Sequence, residues 1–361
     1  MNTLIKILTA FLLSIFISTH AQEKPVDSTL TNQQIEAAVD SLSRALKQVY
    51  VFPDMAIKMA DHISAQQKKG VYAGLGNGRK VAEQLTADLQ SVSKDKHLNV
   101  RFNPERIAQY MSVASPEDSV ARRERWVGEM RSQNFGFHKI SVLEGNIGYL
   151  DLRAFMNPEF AGETAAAAMN FLANADALII DLRRNGGGSP GMIQLLTSYL
   201  YDSDPVHLNN FYWRPTDTRT QTWTLPYVPG KRRPDIPVYV LTSSDTFSAA
   251  EEFTYNLKNL ERATVIGETT GGGAHPGGPY PLDENLVVFI PSGRAINPVT
   301  QSNWEGTGVK PHIEVPSDEA LKVAVTKAVE NLMTGSDNDG ERRYYEQLLL
   351  DLKSGKLDIK G

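Results

Sequence analysis

Ala177-Leu178-Ile179-Ile180-Asp181-Leu182-Arg183-Arg184-Asn185-Gly186-Gly187-Gly188 is the stretch on which the fold turns. Four uninterrupted apolar residues ahead of a glycine-rich turn suit a strand buried on both faces. Pro190 then starts a helix to about Leu200. The succession repeats at Val238-Tyr239-Val240-Leu241. There the turn is Thr242-Ser243-Ser244-Asp245-Thr246-Phe247-Ser248, and the helix is Ala249–Leu260. Ile147–Leu152, Ala263–Gly267 and Leu286–Ile290 read as further strands. Strands alternating with helices predict an α/β core. Residues 203–235, rich in prolines and aromatics, predict a hairpin excursion from it.

Ahead of the core the pattern is helical. Ile35, Ala38, Val39, Leu42, Ala45, Leu46 and Val49 recur at helical spacing. Thr31 and Gln34 suit a capping box in front of them. Pro53 opens a second helix, over about 54–68, and Gly74–Gly78 breaks the chain. Val81, Leu85, Leu89 and Val92 mark a third helix, and a charged fourth runs from Pro116 to about Met130. Residues 318–332 predict a closing helix. The polar tail from about 335 carries a short helical patch, Tyr344–Leu352.

The first residues read as an export signal. Lys6 is followed by an apolar run from Ile7 to Ile17, then by Thr19-His20-Ala21. That is the charged, apolar and small-residue succession of a secretory signal peptide, with cleavage expected after Ala21. The apolar run is too short to span a bilayer comfortably. No membrane anchor is therefore expected after cleavage. The chain has 361 residues and no cysteine, which excludes disulfides, thiol catalysis and a cysteine-linked lipid anchor. Its formal charge of −5 implies no general attraction to nucleic acid. The expected organisation is a signal peptide over 1–21, a helical domain over 22–133, an α/β core over 134–334 and a polar tail over 335–361.

Both strand-to-helix turns can carry chemistry. Ligands gather at the carboxyl ends of strands in α/β sheets. Consecutive glycines expose backbone N–H groups that can stabilise an oxyanion. A phosphate loop is disfavoured, because no lysine–hydroxyl pair follows Gly186–Gly188. Ser248, at a helix start, is by itself only an N-cap. As a nucleophile it would gain the helix dipole and the N–H of Ala249. No G-x-S-x-G surrounds it, which disfavours the α/β-hydrolase reading. No HExxH is present, so neither a catalytic metal nor a cofactor is expected.

At these residues the chain resembles the tail-specific, or C-terminal-processing, serine peptidases. Asp181–Gly188 is similar to their "DLRxNxGG" motif. Thr246–Glu251 together with Arg262–Thr269 is similar to "TxSAxE…RAxxxGExT". Asn146–Leu152 resembles their "IGYL" strand. Glu305-Gly306-Thr307-Gly308-Val309-Lys310-Pro311 resembles "EGxGVxPD", with His312 in place of the aspartate. Asp95-Lys96-His97-Leu98 resembles the "DxHL" segment of a branch that includes the modules of interphotoreceptor retinoid-binding protein and, more distantly, tricorn protease. The resemblance implies a crotonase-like ββα spiral core behind a small helical domain, and hydrolysis of a peptide or protein substrate.

It also implies roles. Ser248 is the nucleophile, and Gly187, Gly188 and Ala249 form the oxyanion hole. The "FGKG" lysine of the processing peptidases is missing, since Gly271-Gly272-Gly273 lies where it would fall. Too few residues separate His97 from Gly145 for their PDZ domain. His97 therefore takes the place of the base, and Glu305 that of the group orienting it. Lys96 lies where tricorn has a serine. His275 and Glu268 compete for these two roles. The rival function on the same fold is a non-catalytic module that binds an apolar ligand or a peptide terminus.

Overall fold

The computed structural model describes residues 29–111, 116–357 and 359. The proposed signal peptide lies outside them. Two compact units are formed. The first takes the chain up to Arg125 together with Phe211–Thr220 and His275–Ile296; the second holds Trp126–Asn210, Gln221–Ala274 and Asn297–Gly361.

In the first unit, helices Asn32–Val49, Pro53–Lys68 and Gly78–Ser93 fold on one core. Thr31 and Gln34 form the expected capping box: Gln34 N–H donates to Thr31 Oγ1 at 3.2 Å, and Thr31 N–H to Gln34 Oε1 at 2.9 Å. Asn77 caps the third helix through the N–H groups of Arg79 and Lys80. That helix ends at Lys94, in the left-handed conformation. Helix Pro104–Met111 follows, an element the sequence pattern does not suggest.

Strands Gly277–Pro281 and Leu286–Pro291 pair as a hairpin, and Asn99–Phe102 adds a third antiparallel strand. Leu286, Val288 and Ile290 alternate into the same core as Ile35, Leu42 and Leu85. The outer edge of Asn99–Phe102 is covered by the third helix. Thr86 Oγ1 accepts the Val100 N–H at 2.8 Å, and Gln90 donates to Leu98 O at 2.8 Å. Such cover blocks edge-to-edge pairing. The tip of the expected hairpin belongs to this unit because Arg214 donates to the carbonyls of Tyr50 and Lys47.

The second unit is built on six strands. Their order is Ile313–Glu314, Thr264–Gly267, Val238–Thr242, Ala177–Asp181, Ile147–Leu152, Phe137–Leu143. The first five run parallel and the last is antiparallel. The α/β expectation is met, and the continuous apolar runs at 177–181 and 238–242 are buried at every position. Helices Ala320–Gly335 and Asp339–Lys353 cover one face. The second is longer than the patch read from sequence, and Leu348, Leu349 and Leu352 pin it to the sheet. Among the described residues no helix is long and apolar enough to cross a membrane.

His312 is bound to Val265 through both its ring and its backbone. Its Nδ1 accepts the Val265 N–H at 2.9 Å and its own N–H donates to Val265 O at 2.8 Å.

Gly78 opens the third helix where a β-carbon would fall inside the Phe102 ring. Glycine-to-alanine in a helix normally stabilises by about 0.5–1 kcal/mol. Here Gly78→Ala is expected to destabilise by about 1–3 kcal/mol through overpacking. Urea denaturation checks the sign.

Candidate active site

The two turns singled out by sequence meet at the carboxyl ends of neighbouring parallel strands. Asp181 pairs in register with Leu241, so the chain leaves both strands at the same level. Three bonds then join the turns. Thr246 Oγ1 donates to Leu182 O at 2.8 Å, Ser243 Oγ to Arg183 O at 2.5 Å, and Phe247 N–H to Asn185 O at 3.0 Å. Asn185 is fully buried. Its amide donates to Leu152 O at 2.8 Å and its Oδ1 accepts the Gly187 N–H at 2.8 Å.

Asp181 anchors the turn from below. Burial pushes its carboxyl up, but Arg183 outweighs that and holds it below the usual carboxylate range. Arg183 is doubly bonded to it and also reaches Ser317 O at 2.6 Å.

Ser248 occupies an unusual backbone conformation, φ 56° and ψ −120°. A non-glycine residue there is strained by about 1–3 kcal/mol, and such strain persists only where the surroundings enforce it. Gly187 is one enforcing neighbour. A β-carbon on it would lie 2.8 Å from both Ser248 Cβ and Ala249 N. Its φ of +109° is one that L side chains rarely adopt. The structure thus brings Gly187 against Ser248 and Ala249, while Gly188, next in the chain, lies against Phe155. The Gly187 N–H is committed to Asn185. Those of Gly188 and Ala249 donate no hydrogen bond among the described residues.

Glu251 is the second enforcing neighbour, and sequence reasoning gave it no role. It is fully buried. Its Oε1 accepts Thr270 Oγ1 at 2.5 Å and Gly272 N–H at 2.6 Å; its Oε2 accepts Gly273 N–H at 2.8 Å and Ser248 N–H at 2.9 Å. Burial pushes its pKa up to about 6, against the pull of those four bonds. A glutamate three residues after the serine is the signal that could have found it.

Glu305 Oε2 accepts the next N–H of the same loop, that of Ala274, at 2.6 Å. Trp304 Nε1 donates to Gly273 O at 2.7 Å and Gly306 N–H to Gly272 O at 2.9 Å. Glu268, a competitor for the orienting role, binds the N–H groups of Ser317 and Ser244, which hold it below the usual range.

His97 belongs to the first unit, in a turn organised by Asp95. The Asp95 Oδ1 accepts the His97 N–H at 3.0 Å, and its Oδ2 accepts Tyr50 OH at 3.1 Å. The His97 ring stacks on Phe289 with centroids 5.8 Å apart, and its Nδ1 lies 3.9 Å from Asp95. Burial holds it down at about 4; Asp95 pulls upward and His275 adds to the depression. His275 is also in this unit. Its Nδ1 lies 3.4 Å from Asp95 Oδ2 and its ring meets the edge of Phe52. Burial alone would raise Asp95, but the two histidines hold it below its ordinary value.

Residues 146–315 match peptidase family S41, and residues 26–134 match the N-terminal domain of peptidase S41 in eukaryotic IRBP. The chain belongs to peptidase family S41. That places it among the serine peptidases, which are hydrolases of peptide and protein substrates. Solved structures are similar to this chain. A putative peptidase from Parabacteroides merdae ATCC 43184 is 18% identical, with 85% of this chain and 98% of that chain covered and a TM-score of 0.58. Mature CPAF is 13% identical, with 90% and 99% covered and a TM-score of 0.54. A putative S41 protease from Bacteroides fragilis NCTC 9343 is 21% identical at a TM-score of 0.46; 62% of this chain spans 59% of that one. At these identities the likeness is one of fold.

The strain at Ser248 is testable in this S41 peptidase. Ser248→Gly relieves the φ of 56°, whereas Ser248→Ala keeps it. The glycine variant is expected to be the more stable by about 1 kcal/mol, although glycine usually loses to alanine. Urea midpoints of the two variants check this. A less stable glycine variant would show that the backbone is unstrained.

Proposed function

We propose that this S41 peptidase hydrolyses peptide bonds through an acyl-enzyme on Ser248 and that it works outside the cytoplasm. The carrying observation is the strained Ser248 backbone, wedged between Gly187 and the Glu251 carboxylate at the start of a helix. Export rests on the signal-like residues 1–21.

In the proposed reaction Ser248 Oγ bonds to the scissile carbonyl carbon while its proton passes to a histidine. The carbonyl oxygen becomes an oxyanion and takes hydrogen bonds from Ala249 and Gly188, whose N–H groups are uncommitted. Gly187 contributes by leaving space rather than a donor. The C–N bond then breaks and the histidine's proton leaves with the amine. Water repeats the sequence on the acyl-enzyme, freeing the acid and restoring the Oγ–H.

The sequence assigns the base to His97. A second assignment, His275, is favoured by its contact with Asp95 and by the low basicity of His97. A carboxylate on Nδ1 fixes the tautomer and leaves Nε2 to accept a proton. In that version Glu305 positions the base through the Ala274 N–H, one residue before His275 in the chain.

A fluorophosphonate probe is expected to label wild type and not Ser248→Ala, whose kcat on any turned-over peptide falls by on the order of 10⁴-fold. Undiminished turnover in Ser248→Ala would overturn Ser248 as nucleophile, whereas a wild type that is neither labelled nor active would favour a binding module. His97→Ala and His275→Ala then separate the bases, since the true one costs on the order of 10²–10⁴-fold. If His97 is the base, its own limb in kcat/KM lies near pH 4, below the window in which Glu251 titrates.

A further inference from the structure

We propose that Glu251 is a positioning residue for the Ser248 reaction: its ionised carboxylate locks the nucleophile turn to the 270–273 glycine loop, and protonation unlocks them. The proposal rests on Ser248 as nucleophile for its kinetic consequence, though not for its structural one.

Every partner of this carboxylate is a donor. Three are backbone N–H groups, of Ser248, Gly272 and Gly273. The fourth, Thr270 Oγ1, already accepts the Val309 N–H at 2.7 Å, so its own proton points at Glu251. A neutral carboxyl brings an O–H into this ring of donors, where only Thr270 Oγ1 can accept it, by turning its own proton away. The three backbone N–H groups are then left on an uncharged and weaker acceptor, and with Oε2 shared between Ser248 and Gly273 the link between the two segments loosens.

Nearby charges do not complicate the titration. On its own helix Glu252 interacts with Asn209, and Lys258 donates to Lys310 O at 2.5 Å. On the flanking segments Glu268 is spent on Ser244 and Ser317, Glu305 on Ala274, and Asp245 belongs to the nucleophile turn. None of these is among the groups that shift Glu251.

The sign is distinctive. The folded pKa of about 6 lies above the ordinary 4.5, so between these values the folded protein binds the extra proton. This group's contribution to stability therefore falls as pH rises through that window and is level above it. The locked arrangement, which needs the anion, strengthens over the same window. A purely structural carboxylate would move order and stability together.

Amide exchange of wild type, corrected for intrinsic rates, is the test. Protection at Ser248, Gly272 and Gly273 is expected to fall about tenfold per pH unit below the transition, with no such fall at the sheet amides. Glu251→Gln should show low protection at these amides at every pH. It should also lose about tenfold or more in kcat and in fluorophosphonate labelling, with KM little changed. Constant protection across the window in wild type, or a wild-type kcat in Glu251→Gln, overturns the proposal. The exchange pattern should persist in Ser248→Ala. A failure of the acyl-enzyme reading would therefore appear as turnover in that variant, with the exchange result intact.

Discussion

A carboxylate removed from water is the constraint on which this site depends. Leaving Glu251 buried without partners would cost several kcal/mol, far more than any one bond returns. It is tolerated because four donors converge on two oxygens. Those donors come from three places in the chain: the nucleophile turn, Thr270, and the glycines after it. The loop over Trp304–Gly308 is layered on in turn, through Trp304 and Gly306. The carboxylate thereby orders segments whose own sequences, rich in glycine, have little conformational preference.

The sheet supplies what the carboxylate cannot, a fixed level from which the turns depart. Parallel neighbours end together, so the Asp181 and Thr242 turns emerge side by side and are stitched by Asn185, Thr246 and Ser243. Side-chain bonds to carbonyls of another turn need a platform held to tenths of an ångström. Strands buried on both faces provide it.

Asp95 plays a comparable part in the first unit. It accepts from Tyr50 OH and the His97 backbone while facing the His275 ring. The His97 ring is sunk against Phe289, where its charged form is denied water.

The sequence by itself determined the α/β core, the helices of the first unit and the two turns that carry the chemistry. Buried strands and amphipathic helices announce themselves by local periodicity, and Thr31–Gln34 is a local bond. It also singled out Ser248 and its glycine neighbours, because a helix start and a glycine turn are local features. Only the tertiary structure decided that Phe211–Thr220 and His275–Ile296 join the first unit, that Asp95 faces His275, and that Glu251 and Glu305 hold successive N–H groups of one loop. Each of these pairs residues far apart in the chain. No periodicity encodes such a contact, since it exists only once distant donors and acceptors have been desolvated together and must satisfy one another.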